Sequence, residues 1–330
     1  MRRRDLIKLI AGFAISWPLR APAQAPRRIG VLMPFSADDP EGKKQLAAFV
    51  QQLHSLGWTE GGNLHIDYRF SNGDLEKMHA YARELVALQP AALFSRGTPG
   101  TAALAKATRS IPIVFAVVSD PVGEGFVSSV SHPGGNVTGF ANAESSLTGK
   151  WLGLLKEVAP TVNRVGFVFD PKLAPGGGAY YMDLAQTAAA SSTVTPTAMA
   201  IHDVDDITRA IAEFARAPNG GLIVLPDATT SLLRARARII ALADQYRLPA
   251  IYTLRNVPAE GGLMSYGVEL VELFRQAANY LDRILTGAKP ADLPVQLPEK
   301  FEFVLNLKTA KKLGIAVPSG VVAIADEVIE

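Results

Sequence analysis

Along the chain, short apolar runs alternate with longer stretches whose apolar residues recur every three or four positions. Arg28-Ile29-Gly30-Val31-Leu32-Met33, closed by Pro34, reads as a buried strand. Glu41 to Leu56 follows as a helix, because Leu46, Phe49, Val50, Leu53 and Leu56 share one face and Gly57 provides a stop. Leu64 to Arg69 alternates apolar and polar residues, the pattern of a half-exposed strand. Leu75, Met78, Ala82, Leu85 and Val86 form a second helical face, with Asp74 as its N-cap. A strand at Ala91 to Ser95, a helix at Thr98 to Thr108 and a strand at Ile111 to Val118 complete the first half.

The second half repeats this order. Arg28 to Pro34 matches Arg164 to Pro171 in character, and Pro90 to Ser95 matches Gly220 to Leu225. Ile111 to Phe115 matches Leu248 to Tyr252, and Gly134 to Phe140 matches Gly261 to Gly267. The offsets are 136, 130, 137 and 127 residues. A period this long points to a duplicated domain rather than a solenoid. Strand–helix alternation demands parallel sheets. The expected architecture is therefore α/β, with two doubly wound parallel-sheet lobes joined by a hinge.

The two Gly-Gly strands are expected to carry the chain between lobes. A helix at Val271 to Leu285, a Pro-rich run (Pro290, Pro294, Pro298), a strand at Phe301 to Leu305 and a helix at Leu307 to Leu313 suggest a third crossing near 290–300. The expected division is 26–141 plus 268–290 for one lobe and 142–267 plus 291–330 for the other.

Residues 1–25 read as an export signal. Arg2 to Arg4 form a basic start, Leu9 to Trp17 is apolar, and Ala21-Pro22-Ala23-Gln24-Ala25 offers cleavage after Ala23 or Ala25. Arg3-Arg4-Asp5-Leu6 resembles a twin-arginine signal. The nine-residue apolar run is too short for a membrane span, which needs about 20 residues. Removing residues 1–23, with five basic side chains and one acidic, turns the formal charge from +2 to −2. Nothing in the remainder suggests a nucleic-acid surface. With no cysteine in the 330 residues, disulfides, thiolate metal sites and a lipid-modified N-terminal Cys are excluded. A periplasmic monomer that is not a lipoprotein is expected.

Several segments carry a family likeness: Ile111-Pro112-Ile113-Val114-Phe115, Ser119-Asp120-Pro121-Val122 and His132-Pro133-Gly134-Gly135-Asn136-Val137-Thr138-Gly139. Further on, Gly261 to Gly267, Ala288 to Val295 and Ala325 to Ile329 add to it. Over residues 27–330 the chain resembles the ABC transporter substrate-binding proteins of the type 1 periplasmic-binding fold, the group with tryptophan- and tyrosine-type receptors. The resemblance implies a two-lobed receptor that closes on a small molecule and presents it to ABC permease subunits.

In doubly wound sheets ligands sit beyond the carboxyl ends of the strands, so candidate residues are sought there. Phe35 and Ser36 follow the first strand; Phe35 either stacks on a ligand or packs under the loop. Gly97 permits close backbone approach, and Thr98 is a helix N-cap, a ligand donor or both. Ser119 and Asp120 follow the fourth strand, where Asp120 either pairs with an ammonium group or makes an Asx-turn. In the second half Asp170 and Asp227 occupy equivalent places, and Asp227 either caps a helix or binds an amine. Arg255 is a carboxylate partner or a solvated surface arginine. Tyr266 lines the hinge or touches ligand. With the resemblance, this mixture suggests an amino acid, aromatic or branched.

Enzyme signatures are weak. The five histidines show no metal spacing, and no Gly-x-Ser-x-Gly occurs. No cofactor or metal is expected. A sensor for a receptor kinase and an enzyme using the same cleft are the alternatives. A cytoplasmic repressor is disfavoured by the export signal and by the lack of a helix-turn-helix before residue 27.

Overall fold

The structure, a computed structural model, describes residues 25–143, 145–190 and 193–330. The expected signal segment lies outside the described residues, except for Ala25.

The first half runs β1 (Arg27–Met33), α1 (Pro40–Ser55), β2 (Leu64–Phe70), α2 (Leu75–Ala87), β3 (Ala92–Arg96), α3 (Gly97–Ala107), β4 (Ile113–Val118) and β5 (Val137–Ala141). The chain then continues through α4 (Ser146–Val158), β6 (Arg164–Phe169), α5 (Ala179–Ala189), β7 (Thr195–Ala200), α6 (Val204–Phe214) and β8 (Gly220–Val224). Next come α7 (Ala228–Ser231), α8 (Leu233–Gln245), β9 (Ala250–Tyr252), β10 (Met264–Val268) and α9 (Leu270–Leu285). The tail adds β11 (Phe301–Asn306), α10 (Leu307–Leu313), α11 (Ser319–Ala323) and β12 (Glu327–Ile329).

Local chemistry sets the ends of these elements. The Asp39 carboxylate accepts from the Gly42 amide at 2.7 Å at the start of α1, and Asp74 accepts from the Lys77 amide at 3.0 Å at the start of α2. Gly57 ends α1 at φ 92°, a left-handed geometry that favours glycine.

The first sheet has the order β2-β1-β3-β4-β5, and every pairing is parallel. The second begins β7-β6-β8-β9-β10, which is the same order written with the equivalent strands, and extends to β11 and β12. The duplication seen in the residues is thus a duplication of topology. One pair departs from the parallel expectation: β10 and β11 run antiparallel.

Alternate strand residues feed two cores in each lobe. Ile29, Val31 and Met33 meet Phe49 of α1 and Phe274 of α9, whereas Leu32 meets Leu85 of α2 and Leu104 of α3. In the second lobe Phe167 packs with Trp151 of α4 and Tyr181 of α5, and Val168 packs with Ile211 of α6 and Ile239 of α8. Each crossing donates a helix: β5 is followed by α4 on the second sheet, and β10 by α9 on the first. The third crossing falls between Gln296 and Phe301, within the expected stretch near 290–300. Leu293 and Val295, assigned from sequence to the second lobe, pack in the first lobe's cores, and the Gln296 amide donates to the Gly139 carbonyl at 3.0 Å.

Candidate functional site

The carboxyl ends of the two sheets face each other. Three crossings tie the lobes at one side, and cross-lobe hydrogen bonds join them at the other. The Tyr181 hydroxyl, on α5, donates to Ser119 Oγ at 2.6 Å. Ser119 Oγ donates to Asn142 Oδ1 at 3.0 Å, so the chain of bonds ends in the first crossing. Burial raises the Tyr181 pKa well above its ordinary value, so the phenol stays protonated as a donor. Further out, the Gly176 amide donates to Glu124 Oε1 at 2.9 Å. Gly176, Gly177 and Gly178 all have positive φ, a curl of backbone amides that favours a carboxylate.

Between these contacts and the crossings lies a cavity. Arg96, Val117 and Asn142 line it from the first-lobe side; Trp151, Ser231, Thr253 and Leu254 line it from the second. It encloses about 20 Å³, space for about one water. The lobes must therefore part before anything larger enters. Val117 sits at φ 65°, at a register shift between β4 and β5. A β-branched residue with positive φ is strained, and strain of this kind gathers where a structure re-aims its chain.

Arg96 ends β3 and is 6% exposed. Its Nε donates to Gln45 Oε1 at 3.0 Å, and its guanidinium carbon lies 4.3 Å from the centre of the Phe35 ring. Burial pulls its pKa down to about 10, while the charges of Asp39 and Glu41 act against that fall.

The residues singled out from sequence divide accordingly. Ser119 lies on the cross-lobe hydrogen-bond chain. Phe35 is buried beneath Arg96, so it packs rather than presenting an open face. Ser36 is half-buried in the same loop, where its carbonyl accepts from the Asp39 amide at 3.2 Å. Gly97 starts α3 at φ 82°. Thr98 is not the N-cap, as one reading had it: Arg96 holds that position without a side-chain cap bond, because the strand runs directly into the helix. Thr98 is buried.

Asp120 makes the Asx-turn, accepting from the Gly123 amide at 2.8 Å. Asp170 accepts from the Lys172 amide at 2.9 Å and from Thr229 Oγ1 at 2.9 Å. Asp227 accepts from the Asp170 amide at 2.9 Å and from the Thr230 amide at 2.8 Å, so it caps α7 and joins two strand ends. Burial raises the Asp227 pKa to about 7, with the Asp170 charge adding to the rise and its backbone hydrogen bonds opposing it.

Two candidates are placed away from the cavity. Arg255, read as a possible carboxylate partner, is exposed and pairs with Glu302 at 2.9 Å and with Glu327 at 2.6 Å. The Tyr266 ring stacks on Phe301, with centres 5.6 Å apart. It lines a groove beside α4 rather than the central cavity, where β10 contributes Gly267 and Val268 instead. Sequence reasoning missed Arg96, Tyr181, Asn142 and Trp151. The signal for Arg96 was present: a charged residue ends a run that is otherwise buried.

Among the described residues no cluster of three His, Cys, Asp or Glu could hold a metal, and no helix is long and apolar enough to cross a membrane.

Comparisons with known proteins place the chain in a family and agree with its fold. The tyrosine-binding protein of Clostridioides difficile is 25% identical over 277 residues, covering 84% of this chain and 78% of that one. A crystal structure of a conserved domain protein from Vibrio cholerae superposes with a TM-score of 0.84 at 28% identity, over 92% of this chain and 99% of that one. The ABC domain from Streptococcus pneumoniae in complex with L-Trp gives 0.84 at 24% identity, over 92% of this chain and all (100%) of that one. The sequence model described as ABC transporter substrate binding protein matches residues 28–329. With that match across both lobes, the chain belongs to the ABC transporter substrate-binding protein family.

Proposed function

We propose that this protein is the periplasmic receptor of an ABC importer, which captures an amino acid with an apolar or aromatic side chain between its lobes and delivers it to permease subunits. The observation that carries this reading is the Tyr181–Ser119 hydrogen bond, because it joins helix α5 of the second lobe to the carboxyl end of β4 in the first. Such strand ends are where doubly wound sheets hold ligands. The tyrosine- and tryptophan-binding relatives support an amino acid as the cargo.

The mechanism is a population shift. Parted lobes admit the ligand, and closure buries it against both sheets. The ligand acts by stabilising the closed arrangement more than the open one. Closure then gives the permease a single shape to recognise, with the cargo inside. The proposed division of labour needs no bond-making chemistry, so the protein acts by binding and not as an enzyme.

The test is a thermal-shift screen of the mature protein against the twenty amino acids, followed by calorimetry on any positive. A ligand present at 100 times its Kd stabilises by about 2.7 kcal/mol, which is readily seen as a higher Tm. Binding of an apolar or aromatic amino acid is expected. A screen with no shift for any amino acid contradicts the reading.

A further inference from the structure

Arg96 presents a problem that the fold alone does not solve. It is 6% exposed, and among the described residues its only side-chain hydrogen bond runs from Nε to Gln45. Among the described residues the two terminal nitrogens, Nη1 and Nη2, have no hydrogen-bond partner, and the residue forms part of the wall of the central cavity. A guanidinium held largely out of bulk solvent with few protein partners is costly unless water or a ligand completes it. The Phe35 ring under one face and the nearby Asp39 and Glu41 charges offset part of that cost, yet they leave the outer edge of the fork unused. Structures keep such a group where something else completes it.

The rest of the wall says what that is. Asn142 spends its Oδ1 on Ser119, which leaves its Nδ2 as a donor without a partner among the described residues. The Ser231 and Thr253 hydroxyls are also without partners among the described residues and stand in the same wall. No Asp or Glu lines this cavity. The polar part of the wall is thus rich in donors and centred on one cation. The remainder is apolar, with Leu147, Trp151, Leu254 and Leu270.

We infer that Arg96 receives the ligand's carboxylate through Nη1 and Nη2, and that the cavity takes an organic acid whose body is apolar. This rests on the reading of the cleft as the ligand site and sharpens it. A planar guanidinium matches a carboxylate in two parallel hydrogen bonds. Asn142 Nδ2 is placed to add a third. The apolar body lies against Trp151 and the leucines, and the lobes close over it. The group that discriminates between ligands is the carboxylate; the ammonium has no charged side chain waiting for it in this wall.

The test uses L-tryptophan, L-tyrosine and L-leucine, each beside its primary amide, and indole-3-propionate as an acid without the amine. Calorimetry on the unmodified protein is expected to show an acid that binds and an amide at least about 100-fold weaker, the scale of losing one partner of a buried charge pair. Indole-3-propionate is expected within about tenfold of tryptophan if tryptophan is the binder, since no buried pair is lost. Arg96→Gln, checked for an intact fold by its ligand-free melting curve, is expected to abolish the distinction between acid and amide. Arg96→Lys, which keeps the charge but not the fork, is expected to bind the acid weakly.

If the acids bind and their amides bind equally well, or if Arg96→Gln binds the acid as tightly as the parent, the assignment of Arg96 is overturned while the receptor reading stands. If neither these three acids nor any other of the twenty amino acids binds the unmodified protein, the receptor reading falls, and the assignment falls with it; if a different apolar amino acid binds, the same comparison is made with that acid and its amide. Should the Gln variant fail to fold, the comparison of acid with amide on the unmodified protein still decides whether a carboxylate is required.

Discussion

Tyr181 and Ser119 meet across the gap between lobes, hydroxyl to hydroxyl at 2.6 Å, although one stands on a helix of the second lobe and the other follows a strand of the first, and both are buried. The contact stabilises only the closed arrangement. Tyr181→Phe keeps the ring that packs 6.2 Å from Trp151 and removes the bond. A hydrogen bond of this kind contributes about 1 kcal/mol, so ligand affinity is expected to fall about fivefold. Small-angle scattering of the ligand-free variant is expected to give a larger radius of gyration than the parent. Unchanged scattering and unchanged affinity together contradict a closing role for this pair.

Arg255 offers the opposite expectation. Its ion pairs with Glu302 and Glu327 lie at an exposed position, and exposed pairs contribute about 0–1 kcal/mol. Arg255→Ala is expected to lower stability by less than about 1 kcal/mol and to leave amino-acid affinity unchanged in calorimetry. A large loss of affinity would return Arg255 to the site.

Asp227 makes stability depend on pH. Its folded pKa, about 7, stands above the ordinary value of 3.8. The folded state therefore binds more protons than the unfolded state between those limits, and stability falls as pH rises from about 4 to about 7. Above 7 the cost is fully present. Asp227→Asn removes the titration, so its stability relative to the parent is expected to improve steadily across this window, as read by denaturant melts at several pH values. A difference that stays constant with pH rules out this role.

Gly267 carries the chain toward the second crossing. A Cβ there would collide with the Thr253 carbonyl, and Thr253 stands in the wall of the cavity. Gly267→Ala is expected to cost about 2 kcal/mol, the middle of the range for overpacking, and to reduce affinity by shifting that wall. Gly287→Ala serves as a contrast. Its added Cβ meets nothing within 4 Å, although its φ of 116° still strains an alanine. A reduced Tm without lost affinity is expected there, whereas equal affinity losses at both positions would show that Thr253 is not what matters.

The architecture was readable because buried parallel strands leave a local signature. Ile29 to Met33 and Val165 to Phe169 are continuous apolar runs, and both became central strands with helices on each side. The helix caps at Asp39 and Asp74 are equally local, three residues from the amides they hold. The site was less readable because its parts come from distant segments. Arg96 is defined by Gln45, 51 residues earlier, and by Phe35. Tyr181 sits in an alanine-rich helix that carries no site signal of its own, and its partner is 62 residues away. Arg255 was drawn off by Glu327, on a strand of three residues too short to show a period. The strand ends that meet at the cavity are legible in the sequence, whereas which side chains there turn inward is not.

The most direct measurement is a crystal structure of the mature protein grown with the amino acid that binds most tightly. The account predicts density between the two sheets, with a carboxylate beside Arg96 and an apolar body against Trp151, touching both lobes at once. A ligand seated on one lobe alone, or outside the gap, would contradict it.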